Sequence, residues 1–532
     1  MIVATCMRRG IRRITGLAIA SLAVALVLAG CGSGSGSTGS PSSQPSSTTP
    51  LDSITVNGSN PVETLDTTKA SEITSLDVIY LTQGMLFRLN AQGQPVPDLV
   101  ATDSLSANKL TFTITLRHGA TYSDGEPVTA NDVVVAFNRQ RNGGIWGPSL
   151  LASIKQAVAV GTNEVQFKLL YPDPDIITEL TGRTMAINPA SKVENDPNYF
   201  NHPVSAGPYM VQNYVPGQLN TTLVENPKYW GGPMMAKKIT VLGVSDDESR
   251  TLQIQSGNID FAWKVPYASR SALTNVKTTV STIGGYIDLY INGTHNDAFA
   301  NPDVRRAISL ALNRSALSQQ VYQGLLPAET SWMYDCGSLC APDLLPNGGK
   351  QDLTEAKQLI AKAGASGASA SLDVDTTDDM NDLGVAIASQ LKAIGLNISI
   401  KEVDAASLES VLQTGKFQML LQEGAQILPW AALQTFFSDT GSAEYTGIKN
   451  PQLTALVTQA KQTLDPTKRK QLFTEIQQMA QQTMPVVPLL QRTQINAFSS
   501  KLPSGLIELP PESQTFNVQT VAEAKAGKGA GQ

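Results

Sequence analysis

The chain has 532 residues, 39 Lys and Arg against 45 Asp and Glu, a formal net charge of −6 and only three histidines. This acidic balance argues against a nucleic-acid or anionic-membrane partner, and the length exceeds one hydrophobic core, so two or three domains are expected. No G-x-S-x-G, H-E-x-x-H, phosphate-binding loop or paired C-x-x-C occurs, which leaves little for nucleophilic, metal-dependent or nucleotide-dependent catalysis.

The first thirty residues read as a targeting segment. Arg8, Arg9, Arg12 and Arg13 make a basic start, and residues 17–27 form an apolar run too short for an ordinary membrane span. Leu28-Ala29-Gly30-Cys31 resembles a bacterial lipobox, in which Cys31 would take a diacylglyceryl thioether. An ordinary signal peptide with a chance cysteine, or an uncleaved anchor, is the other reading. Removing residues 1–30 takes four arginines and no acid, so −6 becomes −10. Residues 32–50 are Gly, Ser, Thr, Pro and one Gln without a charge. Such a segment cannot bury enough apolar surface to fold and reads as a tether reaching about 25 Å.

Beyond the tether, short β-rich runs alternate with amphipathic helices, which predicts mixed α/β layers. Residues 110–116 alternate apolar and Thr side chains, a half-buried strand. Thr129 is placed to cap a helix with Val133, Val134 and Phe137 on its apolar face. Further helices are expected over 304–312, introduced by Asn301-Pro302-Asp303, then over 353–363 ending at Gly364, over 383–394 ending at Gly395 and over 466–482. A strand is expected at 396–400 and an apolar run at 484–490. Cys336 and Cys340 lie four apart in one loop. In an oxidising compartment they predict a local disulfide, with a metal or redox pair as the alternative. The stretch 522–532 is rich in Ala, Gly and Lys and reads as a disordered tail.

Five blocks then fall in a recognisable order. Leu116-Arg117-His118-Gly119-Ala120-Thr121-Tyr122-Ser123-Asp124-Gly125-Glu126-Pro127-Val128-Thr129-Ala130-Asn131-Asp132-Val133 is followed by Ser205-Ala206-Gly207-Pro208-Tyr209. Next come Glu225-Asn226-Pro227-Lys228-Tyr229-Trp230, Ser256-Gly257-Asn258-Ile259-Asp260 and Asn301-Pro302-Asp303-Val304-Arg305-Arg306-Ala307-Ile308. In sequence and order they resemble the family 5 solute-binding proteins, the peptide, nickel and oligopeptide type, over nearly all of residues 52–520. The resemblance implies an α/β, two-lobed periplasmic-binding-protein-like fold of the cluster C type, with a hinge and an extra inserted domain. It implies a discontinuous first lobe of residues 52–84, 204–284 and 500–521, an inserted domain of 85–203 and a second lobe of 285–499. Read physically, most of these blocks serve structure: Ser123-Asp124-Gly125 as a turn, Gly207-Pro208-Tyr209 as a crossover, and Arg305 and Arg306 as ion-pairing residues on a helix face.

The function implied is a lipid-anchored extracytoplasmic protein that captures peptides for the permease and ATPase of an ABC importer. No cofactor, metal or nucleic acid is expected, and the free protein is expected to be a monomer. A non-peptide solute, such as haem, a nickel chelate, glutathione or an opine, is the alternative cargo. For haem, only His118, His202 and His295 are on offer. An enzyme and a purely structural lipoprotein are the competing classes.

In the family's peptide binders, an aspartate in a W-x-x-D-Y segment pairs with the ligand's α-ammonium. Aligned here without gaps, Gly424 stands at the tryptophan and Ile427 at the aspartate, so the expected carboxylate is missing. Glu423 is the candidate substitute, unless it is merely a strand-end carboxylate in solvent. Gln426 and Trp430 lie beside it, the latter stacking on ligand or packing. Trp263, Tyr286, Asn292 and Trp332 are further cleft candidates, against the ordinary reading of aromatics as core. Arg183, in the inserted stretch, is a candidate for a bidentate contact to a ligand carboxylate.

Overall fold

The computed structural model describes residues 49–526 except 146, 333–338, 340, 377, 426–428, 440, 442–444 and 511–515, and not the side chains of 183, 184, 378, 405, 406, 409, 425 and 429–431. The targeting segment, Cys31, Cys336, Cys340, Gln426 and the side chains of Arg183 and Trp430 lie outside these residues. Among the described residues no helix is long and apolar enough to cross a membrane.

Ten strands form one continuous mixed sheet. One end holds Tyr209–Asn213, Asn220–Glu225, Lys238–Gly243, Ile54–Gly58 and Phe261–Val265; the other holds Met419–Ala425, Ser369–Asp375 and Asn397–Val403. Between them run two long antiparallel strands, Lys277–Ile291 and Val486–Phe498, paired along most of their length. A separate four-stranded antiparallel sheet is built from Val100–Leu105, Thr111–Leu116, Glu164–Leu169 and Ile154–Val160. Thr111–Leu116 alternates buried and half-buried side chains, as its period-two pattern requires.

The apolar side chains gather into three main cores. One draws on 54–85, 209–263 and 506–524, with Ala186. A second lies within 86–206, and the largest within 286–490. Both long strands feed the largest core at one end. At the other, Phe498 packs on the first core, while Ile495 and Ala497 join a small satellite with Ile254 and Leu273. The backbone of these two strands is therefore shared by both ends of the sheet.

The family-like blocks hold chain crossings. The helix Ala130–Gly143 begins with a reciprocal capping box between Thr129 and Asp132. The second oxygen of Asp132 accepts the amide of Ala190 at 2.8 Å, so the cap also anchors a distant turn. Ser123 and Ser205 exchange hydrogen bonds, the amide of Ser123 donating to the Ser205 carbonyl at 2.8 Å and the amide of Ser205 to the Ser123 hydroxyl at 3.1 Å. Gly207 passes against the end of the helix Ile73–Thr82, where a Cβ would lie 2.8 Å from the Gln83 carbonyl oxygen. Only glycine fits that crossing.

The helix Pro302–Ala311 starts on an Asn301 cap. Arg306 ion-pairs with Glu355 at 3.0 Å, as expected of a helix face. Arg305 does not. It is buried, and its guanidinium donates to the carbonyls of Phe299, Ala300, Thr483 and Met484. It thereby satisfies the orphan carbonyls at the end of the helix Pro466–Thr483, a tertiary role that helical spacing cannot reveal. Arg314 is likewise enclosed, donating to the carbonyls of Pro488, Ser309 and Gly349 and to the Ser309 hydroxyl.

Burial pushes Glu329 up to about 8, and the charge of Arg314 offsets only part of that rise. The folded protein therefore keeps a proton that the unfolded chain releases near 4.5. This contribution to stability is complete below about 4.5 and is lost as pH rises toward about 8. Glu329→Gln should remove part of the decline in melting temperature across that window. An unchanged slope in thermal denaturation would contradict the assignment.

Candidate functional site

The long strand Lys277–Ile291 pairs with Met419–Ala425 on one side and Val486–Phe498 on the other. Its register shifts between Thr282 and Gly285, where Gly284 takes a φ of +58°. Beyond that shift, Gly285 stands between Ala425 and Arg492, and Ile287 stands between Glu423 and Leu490. The guanidinium of Arg492 crosses the middle strand and meets the Glu423 carboxylate at 3.0 Å. Gly285 makes this possible. A Cβ there would lie 2.8 Å from the Arg492 Cβ and 3.0 Å from the Gly424 carbonyl oxygen. The Glu423 side chain keeps 43% of its surface exposed, so the pair is reachable from solvent.

Lys264 approaches from the other end of the sheet. It occupies an irregularity between Ala262 and Val265 with a φ of +52°, unusual for a residue with a Cβ. Its backbone is held on both sides: the amide donates to Asn496 Oδ1 at 3.3 Å, and the carbonyl accepts from Arg250 at 3.1 Å. The side chain remains solvent-accessible while protein crowds the ammonium. Burial lowers its pKa, the charge of Arg492 lowers it further, and Glu423 acts in the opposite sense. Lys264 makes no ion pair within 4.0 Å among the described residues, unlike Arg492.

Asp379, in the first turn of the helix Asp378–Lys392, completes the group. Burial raises its pKa, the Glu423 charge raises it further, and Lys264 and Arg492 pull it back. Tyr267 and Tyr322 meet edge to face at 5.3 Å and feel the charges of Arg492, Glu423 and Asp379. The Arg492–Glu423 pair thus lies within electrostatic reach of a second cation, Lys264, and a second carboxylate, Asp379. Such an arrangement can hold both ends of a zwitterion, because each terminus finds an opposite charge in a partly desolvated setting.

The other sequence candidates are placed differently. Trp263 is 2% exposed, its indole packed edge-on to Phe261 and near Phe516 in the first core. Trp332 is 1% exposed and meets Phe437 edge-on at 5.9 Å in the largest core. Asn292 is buried and fully engaged. Its amide donates to the carbonyls of Gly415 and Tyr445, and its oxygen accepts from the amide and hydroxyl of Thr294. These three side chains have no face open to a solute, because apolar packing or a saturated amide holds them. Tyr286 is buried against Phe436 at 5.1 Å and fills the space beside Gly424, where a Cβ would lie 2.5 Å from the phenol ring. The ring of Tyr286 takes the volume that a larger side chain at 424 would need.

Of the named candidates, Glu423 is the one that the described geometry places in the charged group. No motif or spacing in the sequence marks Lys264, Arg492 or Asp379. Lys264 directly follows Trp263 in the sequence, but a bulge that turns the next residue outward leaves no pattern to read.

Replacing Gly285 by Ala should force Arg492 off its path. Solute affinity is expected to fall at least tenfold, with a melting temperature only a few degrees lower, measured by calorimetry and thermal denaturation. Unaltered affinity would show that the Arg492–Glu423 pair lies outside the site.

Residues 94–444 match the family model for bacterial extracellular solute-binding proteins, family 5 middle region. The chain is 25% identical over 472 residues to the periplasmic oligopeptide-binding protein OppA of Salmonella typhimurium, covering 81% of this chain and 86% of that protein. It is also 25% identical over 490 residues to the glutathione-binding protein GsiB of Escherichia coli strain 536, covering 86% and 92%. The crystal structure of the ABC transporter substrate-binding protein CtaP of Listeria monocytogenes superposes with a TM-score of 0.77 at 20% identity, covering 85% of this chain and 95% of that one. The match spans more than half of the sequence, and the chain belongs to the family 5 bacterial extracellular solute-binding proteins.

Proposed function

We propose that the protein captures short peptides in a cleft between two lobes and presents them to the permease of an ABC importer. The observation that carries this reading is the Arg492–Glu423 ion pair across the shared strand Lys277–Ile291, with Lys264 and Asp379 within electrostatic reach of it. Lys264 and Arg492 suit a peptide carboxylate, and Glu423 and Asp379 suit its α-ammonium. The first lobe would comprise residues 52–84, 204–284 and 500–521 with the inserted domain 85–203, and the second lobe residues 285–499. Their separate apolar cores support movement as units. Gln426, Trp430 and Arg183 remain proposed contacts to the solute.

Anchoring follows from the N-terminus. Cys31 carries the lipid after removal of residues 1–30, and the uncharged tether keeps a monomeric carrier at the outer face of the cytoplasmic membrane. A Cys336–Cys340 disulfide would suit that compartment. The chain works as a carrier, with no cofactor and no chemical step.

One observation favours a second cargo. Ile427 stands where the family's peptide binders hold the ammonium-pairing aspartate, and the site offers two cations. A peptide with two carboxylates, such as glutathione, would use both cations.

Calorimetric titration with a di- to tetrapeptide library tests the reading. Binding is expected for free peptides, and amidation of the C-terminus should weaken it at least tenfold. In Lys264→Met the amidation penalty should largely vanish, with melting temperature retained or slightly raised because a crowded unpaired cation has been removed. Silence across the library would point to another solute, and an amidation penalty unchanged in the variant would remove Lys264 from its assigned role.

A further inference from the structure

The inserted domain and the largest core also meet through charged residues that the cleft group does not use. Arg469 lies in the first turns of the helix Pro466–Thr483. Its guanidinium grips the Asp175 carboxylate in a two-pronged contact, one nitrogen at 2.9 Å from Oδ1 and the other on Oδ2, although 294 positions separate the residues in sequence. Both side chains are buried, and Arg469 is steadied by its Nε donating to the Ala460 carbonyl at 3.2 Å. Beside it, the ammonium of Lys461, on the helix Pro451–Gln462, sits 5.6 Å from the centre of the Tyr171 ring.

The inserted-domain face of this contact is acidic. Asp173 accepts the Asp175 amide at 2.8 Å, and the buried carboxylate of Glu179 accepts the Ser153 hydroxyl at 2.9 Å. Burial, followed by the charge of Asp173, pushes Glu179 up to about 9, so it is protonated at neutral pH. Asp173 and Asp175 lie on this face, opposite Lys461 and Arg469. Burial also lowers the Lys461 pKa and raises that of Asp175 in spite of Arg469, the signature of charges held in a poorly hydrated contact.

A buried ion pair adds little to stability over a well-packed apolar contact, because desolvating two charges costs about as much as their attraction returns. Its distinctive property is geometric. The planar guanidinium and the carboxylate fit in one register only, and each partner is well solvated when they separate. We propose that Asp175 and Arg469, with Lys461 over Tyr171, form a clasp that docks the inserted domain on the second lobe when the cleft shuts. This rests on the reading that the two lobes close over a solute. The clasp residues are positioning residues: they hold the closed arrangement without touching the solute, and so set how long cargo is retained.

Stopped-flow dissociation of a fluorescent tetrapeptide, with scattering-derived radius of gyration, tests this on the full mature chain. In Arg469→Met and in the nearly isosteric Asp175→Asn, dissociation is expected to accelerate at least tenfold with the association rate within twofold of wild type. The radius of gyration of the peptide-bound protein should rise toward that of the free form. Arg469→Lys, which keeps the charge but not the two-pronged fit, should fall between. Lys461→Met, at the partly exposed margin, supplies a smaller acceleration should the buried variants fold poorly. Folded variants that release peptide at the wild-type rate would overturn the clasp while leaving peptide capture intact. Failure of the wild type to bind any peptide would instead overturn the carrier reading on which the clasp rests.

Discussion

The strands Lys277–Ile291 and Val486–Phe498 run through both ends of the sheet, and their mutual hydrogen bonds tie those ends together. Any relative movement has to be absorbed where this ladder is interrupted. The interruptions lie at Thr282 to Gly285, at Ile287 to Asp288 and, on the neighbouring strand Phe261–Val265, between Ala262 and Val265. Two of these places bear on the charged group. Gly285 lets Arg492 cross to Glu423, and the bulge at Lys264 turns a lysine outward from a strand otherwise committed to the core. Irregular backbone and charged side chains coincide because a regular ladder would leave neither the room for the crossing nor an outward position for the lysine.

A closing cleft also has to avoid burying unpaired charge. Arg492 and Glu423 neutralise each other before any solute arrives, so the free site is not a strong electrostatic sink. Lys264 and Asp379 are less satisfied, and their pKa values move in the directions that crowding dictates: the lysine down, the aspartate up. A zwitterionic solute would relieve both. That differential favours the shut form only when cargo is present, which is what a population shift toward closure requires.

Much of the fold was legible in the sequence because it rests on local chemistry. The Thr129 capping box, the Asn301 cap with Pro302, the alternation of 111–116 and the helix ending before Gly364 each reflect interactions within a few residues. The charged group proposed to bind the solute was far less legible. Its members come from residues 264, 379, 423 and 492; strand register and one glycine's lack of a Cβ join Arg492 to Glu423, a bulge presents Lys264, and a helix start carries Asp379. Trp263, Trp332 and Asn292 attracted attention for their chemistry, yet their surroundings are apolar cores and backbone carbonyls. Arg305 shows the same limit: helical spacing suggested a surface ion pair, whereas tertiary packing made it the cap of a distant helix. Gly424 could be read as a missing tryptophan, but that Tyr286 occupies the vacated space depends on cross-strand pairing.

Closure of two lobes on a peptide held by the charged group beside their shared strands is the event on which the proposed function turns. Small-angle scattering during titration with a free-terminus tetrapeptide tests it most directly. Such closure should give a saturable fall in radius of gyration that tracks calorimetric binding and is greatly reduced in Lys264→Met with Glu423→Gln. A radius of gyration that stays constant while peptide binds with full affinity, in both the wild type and the double variant, would contradict it.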